Sequence, residues 1–367
     1  MKGNRLEKMA LLLTDYCMEV REAEKVLLVS SFLAMPLLKE LYKICLERGA
    51  FPDVRISGEG LAALDYQYGS DAFLQSVSPF SEAEFGIFHK RLNIGCSYNT
   101  NELAGVSSEK QAMRMKASGK LREVMNRREA AGEFSWCVTA FPCQASAQDA
   151  EMSLDGYEEY MARALMLDHD DPIQAWKDFE AYQQGIIEHL RTKSEIIIKG
   201  VNANLKLNVK GRTWVNANGK GNMPDGEVFT APHEDSANGW INYNYPCRLF
   251  GQEVVNIRFE YENGRVVKAS AEKGEEAVLR MLNMDEGMKY IGEFAFGTNY
   301  GIERFIRNGL FDEKRGGTMH IANGATLEGT GGTNKAPVHW DNITEIQDAE
   351  VFADGEMIYR NGKFLFI

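Results

Sequence analysis

Long apolar runs are absent from this chain of 367 residues. A helix that crosses a bilayer needs about 20 consecutive, predominantly apolar residues, so no stretch of the sequence is a candidate span. Basic charge is also in short supply. There are 41 Lys and Arg against 53 Asp and Glu, a formal net charge of -12. Neutralising a phosphate backbone takes a Lys/Arg surface, which makes nucleic acid a poor partner. The acidity itself speaks only to solubility. Cysteine is sparse, with six residues at positions 17, 45, 96, 137, 143 and 247. No CxxC pair and no dense framework occurs, so the thiols read as those of a reduced, cytoplasmic protein. No motif marks Cys137 or Cys143 as reactive. The opening MKGNRLEKMALLLTDYC lacks the apolar core and small-residue cleavage site of a signal peptide and reads as an amphipathic helix.

What is present is enough material for two domains. The first half alternates between strand-like and helix-like segments. A helix is expected over 4 to 18, a strand at VLLVSSF (26 to 32), a helix over 35 to 49 that ends at a glycine, and a strand at 52 to 57. A charged helix follows over 108 to 131, then a strand at FSWCVTA (134 to 140) and helices near 154 to 166 and 171 to 191. This order predicts a three-layer α/β domain with a parallel sheet over residues 1–193. After about residue 193 the pattern changes to strands separated by turns, predicting an α+β domain rich in strands over 194–367. ENGR and RNGK each contain Asn-Gly, a strong hairpin signal. The stretch 316 to 332 is rich in glycine, which marks either a surface loop or backbone held in unusual conformations close to a ligand.

Histidine is scarce: His89, His169, His189, His233, His320 and His339. The last two stand apart from the rest. In the strand-like APVHWDNI, His339 and Asp341 project to the same face and Trp340 to the other. An imidazole and a carboxylate side by side make either a half-site for a divalent metal or a hydrogen-bonded pair that holds a loop. His320, in TMHIANG, is a strand-end histidine with a ligand or a structural role. Glu227 is delivered to the start of an apolar strand by Pro224, Asp225 and Gly226, either as a ligand or as a strand-end surface residue. Glu293 interrupts the apolar strand YIGEFAFGTN, where a carboxylate must be salt-bridged or metal-bound. Two glutamates, two histidines and an aspartate are together what two divalent ions require.

The blocks GEVFTAP, GEFAFGTN, HIANG and HWD, in this order, resemble the M29 (thermophilic-type) metalloaminopeptidase family. PLLKELYKICLERGAFPDVRIS, DPIQAWKDFEAYQQGIIEHL and FADGEMIYRNGKF extend the resemblance over nearly the whole chain. The resemblance implies a cytoplasmic, homodimeric exopeptidase that acts on short peptides with two divalent ions (zinc, cobalt or manganese). It implies Glu227, Glu293, His320, His339 and Asp341 as the ligands, with Glu293 shared by both ions. At one position the chain departs from the family: Leu327 stands where the family has a tyrosine needed for activity. Glu313 and Tyr300 are the candidates for the remaining catalytic roles. The competing reading is a ring-cleaving dioxygenase with one iron on His320, His339 and Asp341; a family member impaired in catalysis is a third.

Overall fold

Five parallel strands form the sheet of the first half, in the spatial order Phe51–Ile56, Lys25–Ser30, Lys90–Gly95, Ser135–Ala140, Asn222–Met223. The computed structural model describes residue 1 and residues 3–367. The expected strands and helices of this half are present. The first helix runs as an α-helix over Asn4–Leu11 and continues as a π-helix over Leu12–Cys17. Sequence reading missed strand Lys90–Gly95. Its apolar positions are few, because it is flanked by strands on both sides but keeps several residues half-buried. The fifth strand, Asn222–Met223, comes from far along the chain. Val138 N–H donates to the Gly221 carbonyl at 2.9 Å and Thr139 Oγ1 to the Met223 carbonyl at 2.6 Å. Two compact units result: Met1–Ile173 with Gly219–Met223, and Gln174–Asn218 with Pro224–Ile367.

The second unit is strand-rich and its sheets are antiparallel. The larger sheet has nine strands and includes both Asn-Gly hairpins. Asn263 and Gly264 (φ 48° and 80°), and likewise Asn361 and Gly362 (51° and 76°), take the two positive φ values that a tight two-residue hairpin requires. The smaller sheet has five strands in the order His339–Glu345, Thr318–Gly324, Ile291–Gly297, Glu227–Thr230, Val215–Ala217. Alternation sorts the smaller sheet's side chains. Val228, Phe294, Phe296, Met319, Ile321 and Trp340 join the apolar core. Phe296 meets Tyr359 and Phe364 of the larger sheet at ring distances of 6.0 and 5.3 Å, and Trp340 meets Phe259 at 5.9 Å. Side chains two residues apart lie on one face, so Glu227, Glu293, His320, His339 and Asp341 all project from the opposite face.

Candidate metal centre

Register decides which of these five residues meet. Glu293 pairs with Ala322, and Ala322 pairs with Asp341. Ala295 pairs with His320, Gly297 with Glu227, and Gly324 with His339. Alanine and glycine therefore stand beside the functional side chains, and their small size leaves room for the larger groups to lean together. The turn before Glu227 is held by backbone contacts: Asn299 Nδ2 donates to the Asp225 carbonyl at 2.9 Å and Thr298 N–H to the Gly226 carbonyl at 2.8 Å. From helix Pro172–Leu190, the buried Gln183 donates from Nε2 to the Glu227 carbonyl at 2.8 Å. Strand-end placement thus leaves Glu227 buried, at 7% exposure, and not on the surface.

Two donor groups form, and they share a residue: Glu227, Glu293 and His320 on one side, and Glu293, His339 and Asp341 on the other. His320 Nε2 lies 3.3 Å from Glu227 Oε2 and 3.1 Å from Glu293 Oε1. His339 Nε2 lies 3.1 Å from Glu293 Oε2 and 3.3 Å from Asp341 Oδ1. Each carboxylate oxygen of Glu293 therefore faces a different imidazole. Glu293 is 2% exposed and has no Lys or Arg partner among the described ion pairs, so its partners are the histidines.

The other ring nitrogens fix the tautomers. His339 Nδ1 is 2.6 Å from the Ala325 carbonyl and His320 Nδ1 is 3.2 Å from the Glu313 carbonyl. A carbonyl only accepts, so Nδ1 carries the proton in both rings and Nε2 of the neutral ring presents a lone pair. This is the arrangement by which a histidine is oriented toward a metal. Glu227 Oε2, Glu293 Oε2 and Asp341 Oδ1 are buried without a hydrogen-bond partner, although each is near an imidazole nitrogen. These acceptors belong to the two groups that could each hold a cation, with Glu293 in both. The donor set, oxygen and imidazole nitrogen without thiolate, suits a divalent transition metal.

Protons are the alternative occupants. Burial alone would depress the two imidazoles. The Glu293 contact and the charge of Glu227 outweigh it and lift His320 to about 9. Asp341 and Glu293 do the same for His339, to about 11. Burial raises Glu227 to about 8 against the pull of Lys314 and His320. Asp341 falls to about 2, and Glu293 is lowered as well, because in both the histidines overcome the cost of burial.

Lys314 is the residue that sequence reading passed over. It is 1% exposed, its Nζ is 3.3 Å from Glu227 Oε1, and it contacts Glu313 Oε1 as well. Burial works against its charge, but Glu227, Glu313 and Asp225 hold it firmly protonated. It occupies one oxygen of Glu227 and leaves the other facing His320. The only hint was its place in DEKRGG, six residues before His320. Glu313 joins this network through its side chain and through the carbonyl that orients His320. Tyr300 commits its hydroxyl to the Gly362 carbonyl at 2.7 Å. Leu327 is 39% exposed, two residues beyond the carbonyl that anchors His339.

The family profile described as thermophilic metalloprotease (M29) matches residues 2–364. The chain belongs to the M29 family. The M29 chain is 29% identical over 313 residues to aminopeptidase AmpS of Bacillus subtilis (strain 168), covering 74% of this chain and 75% of that protein. It is 30% identical over 300 residues to aminopeptidase T of Thermus thermophilus, covering 71% and 70%. The solved structure of wild-type AmpT from Thermus thermophilus superposes with a TM-score of 0.86 at 24% identity, covering 98% of this chain and 99% of that one. That likeness establishes the fold alone. The M29 chain is thus a member of a metallopeptidase family, with a group of candidate metal ligands assembled on one sheet face. A ring-cleaving dioxygenase finds no support among these relatives.

Proposed function

We propose that this chain is an aminopeptidase that removes N-terminal residues from short peptides. In this reading Glu227, Glu293, His320, His339 and Asp341 hold two divalent ions, zinc, cobalt or manganese. The observation that carries the reading is Glu293, whose two oxygens face His320 and His339 in two separate donor groups. A carboxylate shared in this way suits a two-ion centre better than a single-ion one. Two ions held there would polarise a scissile carbonyl and lower the pKa of a bound water.

The chain's own groups prepare that chemistry. The Ala325 and Glu313 carbonyls keep the Nδ1 protons and leave both Nε2 atoms free to act as donors. Lys314 holds Glu227 in place and offsets part of the negative charge of the cluster. Glu313 is the better placed of the two proton-transfer candidates, since it already lies in the Lys314 network while the Tyr300 hydroxyl is engaged elsewhere. Both relatives are named aminopeptidases, which supports the substrate class. A catalytic domain over 194–367, a homodimer and a cytoplasmic location complete the proposal. No helix among the described residues is long and apolar enough to cross a membrane.

The test is metal content per chain after gentle purification, followed by a steady-state assay on amino-acyl anilides with each metal added to stripped protein. Two ions per chain and metal-dependent release of the free amine are expected, and Glu293→Gln should lower both. One bound iron, or two ions without turnover in any metal, would overturn the proposal.

A further inference from the structure

The first unit brings two thiols together at the carboxyl edge of its parallel sheet, far in sequence from any proposed metal ligand. Strands Lys90–Gly95 and Ser135–Ala140 are neighbours in register, with Gly95 opposite Ala140, and both chains leave the sheet at the same end. Cys96 follows the first strand at once. Cys143 follows the second after Phe141 and Pro142, with Phe141 N–H tied to the Gly95 carbonyl at 2.9 Å. The two exits are thereby clamped at one edge of the sheet, and the Cys96 and Cys143 thiols lie near enough to act on each other's ionisation. Cys143 Sγ is also 3.3 Å from Ser146 Oγ.

We infer that Cys96 and Cys143 are a redox modification site, a thiol pair that small peroxides convert to a disulfide across the ends of two neighbouring strands. Cys143 is the attacking sulfur. Its thiolate is favoured by the Cys96 thiol, opposed by burial, and aided by Ser146 and the Ser97 N–H, which together bring it to about 5. Two other thiols are placed differently: burial raises both Cys45 and Cys247 to about 11, which keeps them protonated. In the first step the Cys143 thiolate attacks one oxygen of hydrogen peroxide. The O–O bond breaks, hydroxide leaves and takes up a proton to become water, and Cys143 becomes a sulfenic acid. In the second step Cys96 sulfur displaces the sulfenic oxygen, which departs as a second water with the Cys96 proton. Two thiols lose two electrons and two protons, and one peroxide becomes two waters. Cys143 is only 5% exposed, so a small oxidant suits it and a bulky disulfide does not.

The test uses the full chain under native conditions, treated with hydrogen peroxide, alkylated and mapped by mass spectrometry. The expected product is a Cys96–Cys143 cross-linked peptide, two hydrogens lighter than the sum of its parts and reversed by dithiothreitol, appearing before any other cysteine is oxidised. Cys96→Ser should stop at a sulfenic acid on residue 143 that dimedone traps, and Cys143→Ser should bring reactivity down to that of Cys45. Sulfinic acid on Cys143 without a cross-link in the unsubstituted chain, or first oxidation at another cysteine, would overturn the inference even if neither variant folds.

Discussion

Lys314 is a buried ammonium whose nearest charged partners are Glu227 and Glu313. Removing one partner from a buried ionic network leaves the others desolvated and unpaired, at a cost of about 3–5 kcal/mol. Lys314→Met should therefore lower the unfolding free energy by that amount, read as a lower urea midpoint at unchanged slope. An unaltered midpoint would show that water already solvates these carboxylates. Leu327 poses the opposite question, of something missing. An oxyanion donor is worth about 2.7–4 kcal/mol, or roughly two to three decades in rate. On the proposed function, Leu327→Tyr should raise hydrolysis of amino-acyl anilides toward that limit. If the unsubstituted protein already turns over well and the substitution changes nothing, the donor comes from another residue.

At the level of elements, the candidate centre depends on how four adjacent strands are joined and aligned. Gly324 ends the strand that carries His320, pairs with His339, and has φ +101°. A Cβ there would come within 2.2 Å of the Val338 carbonyl. That is a backbone clash beside His339, so neither atom can move cheaply. Gly324→Ala should separate the His339 strand from its neighbour, reduce metal content and lower the melting temperature. Full metal content in this variant would show that the hairpin does not govern the geometry of the site. The glycine-rich stretch expected from sequence is thus in part an inner strand with tightly packed backbone, and in part a turn containing Leu327 and Thr330, whose Oγ1 donates to the Leu327 carbonyl at 2.8 Å.

For the whole molecule, the cluster links stability to pH. His320 and His339 have folded-state values near 9 and 11, above the ordinary 6.5, and Glu227 is raised to about 8 from 4.5. In each case the folded state holds the proton more tightly. For the histidines the contribution is complete below about 6.5 and is lost as pH rises through 9 and 11, and the Glu227 contribution is lost between 4.5 and 8. Glu293 and Asp341 have lowered values, so theirs has the opposite sign and fails in acid. Metal-free protein should accordingly lose stability steadily from neutral to alkaline pH. Metal-loaded protein should stay flatter, since ions that replace those protons bind better as the protons leave. Melting temperatures measured against pH, with and without metal, give the comparison. Parallel curves would mean that the cluster does not bind metal.

The sequence by itself determined the residue types and the faces. Alternation along HWD places His339 and Asp341 together and Trp340 in the core, because that rule is local to one strand. The same holds for Glu293 between two core positions, and for the hairpins that Asn-Gly closes. Even the order of strands and helices in the first half could be read from periodicity, apart from the half-buried strand Lys90–Gly95. Only the tertiary structure decided the rest. Which carboxylate faces which imidazole depends on register between strands that are distant in sequence, and a shift of one residue would send every ligand candidate into the core. The Nδ1 anchors are backbone carbonyls, which carry no signature of residue type. Lys314 looks like any lysine in a charged turn until the fold buries it against Glu227. Charge and hydrogen bonding at a site are set by what surrounds it in space, and one-dimensional patterning does not record those neighbours.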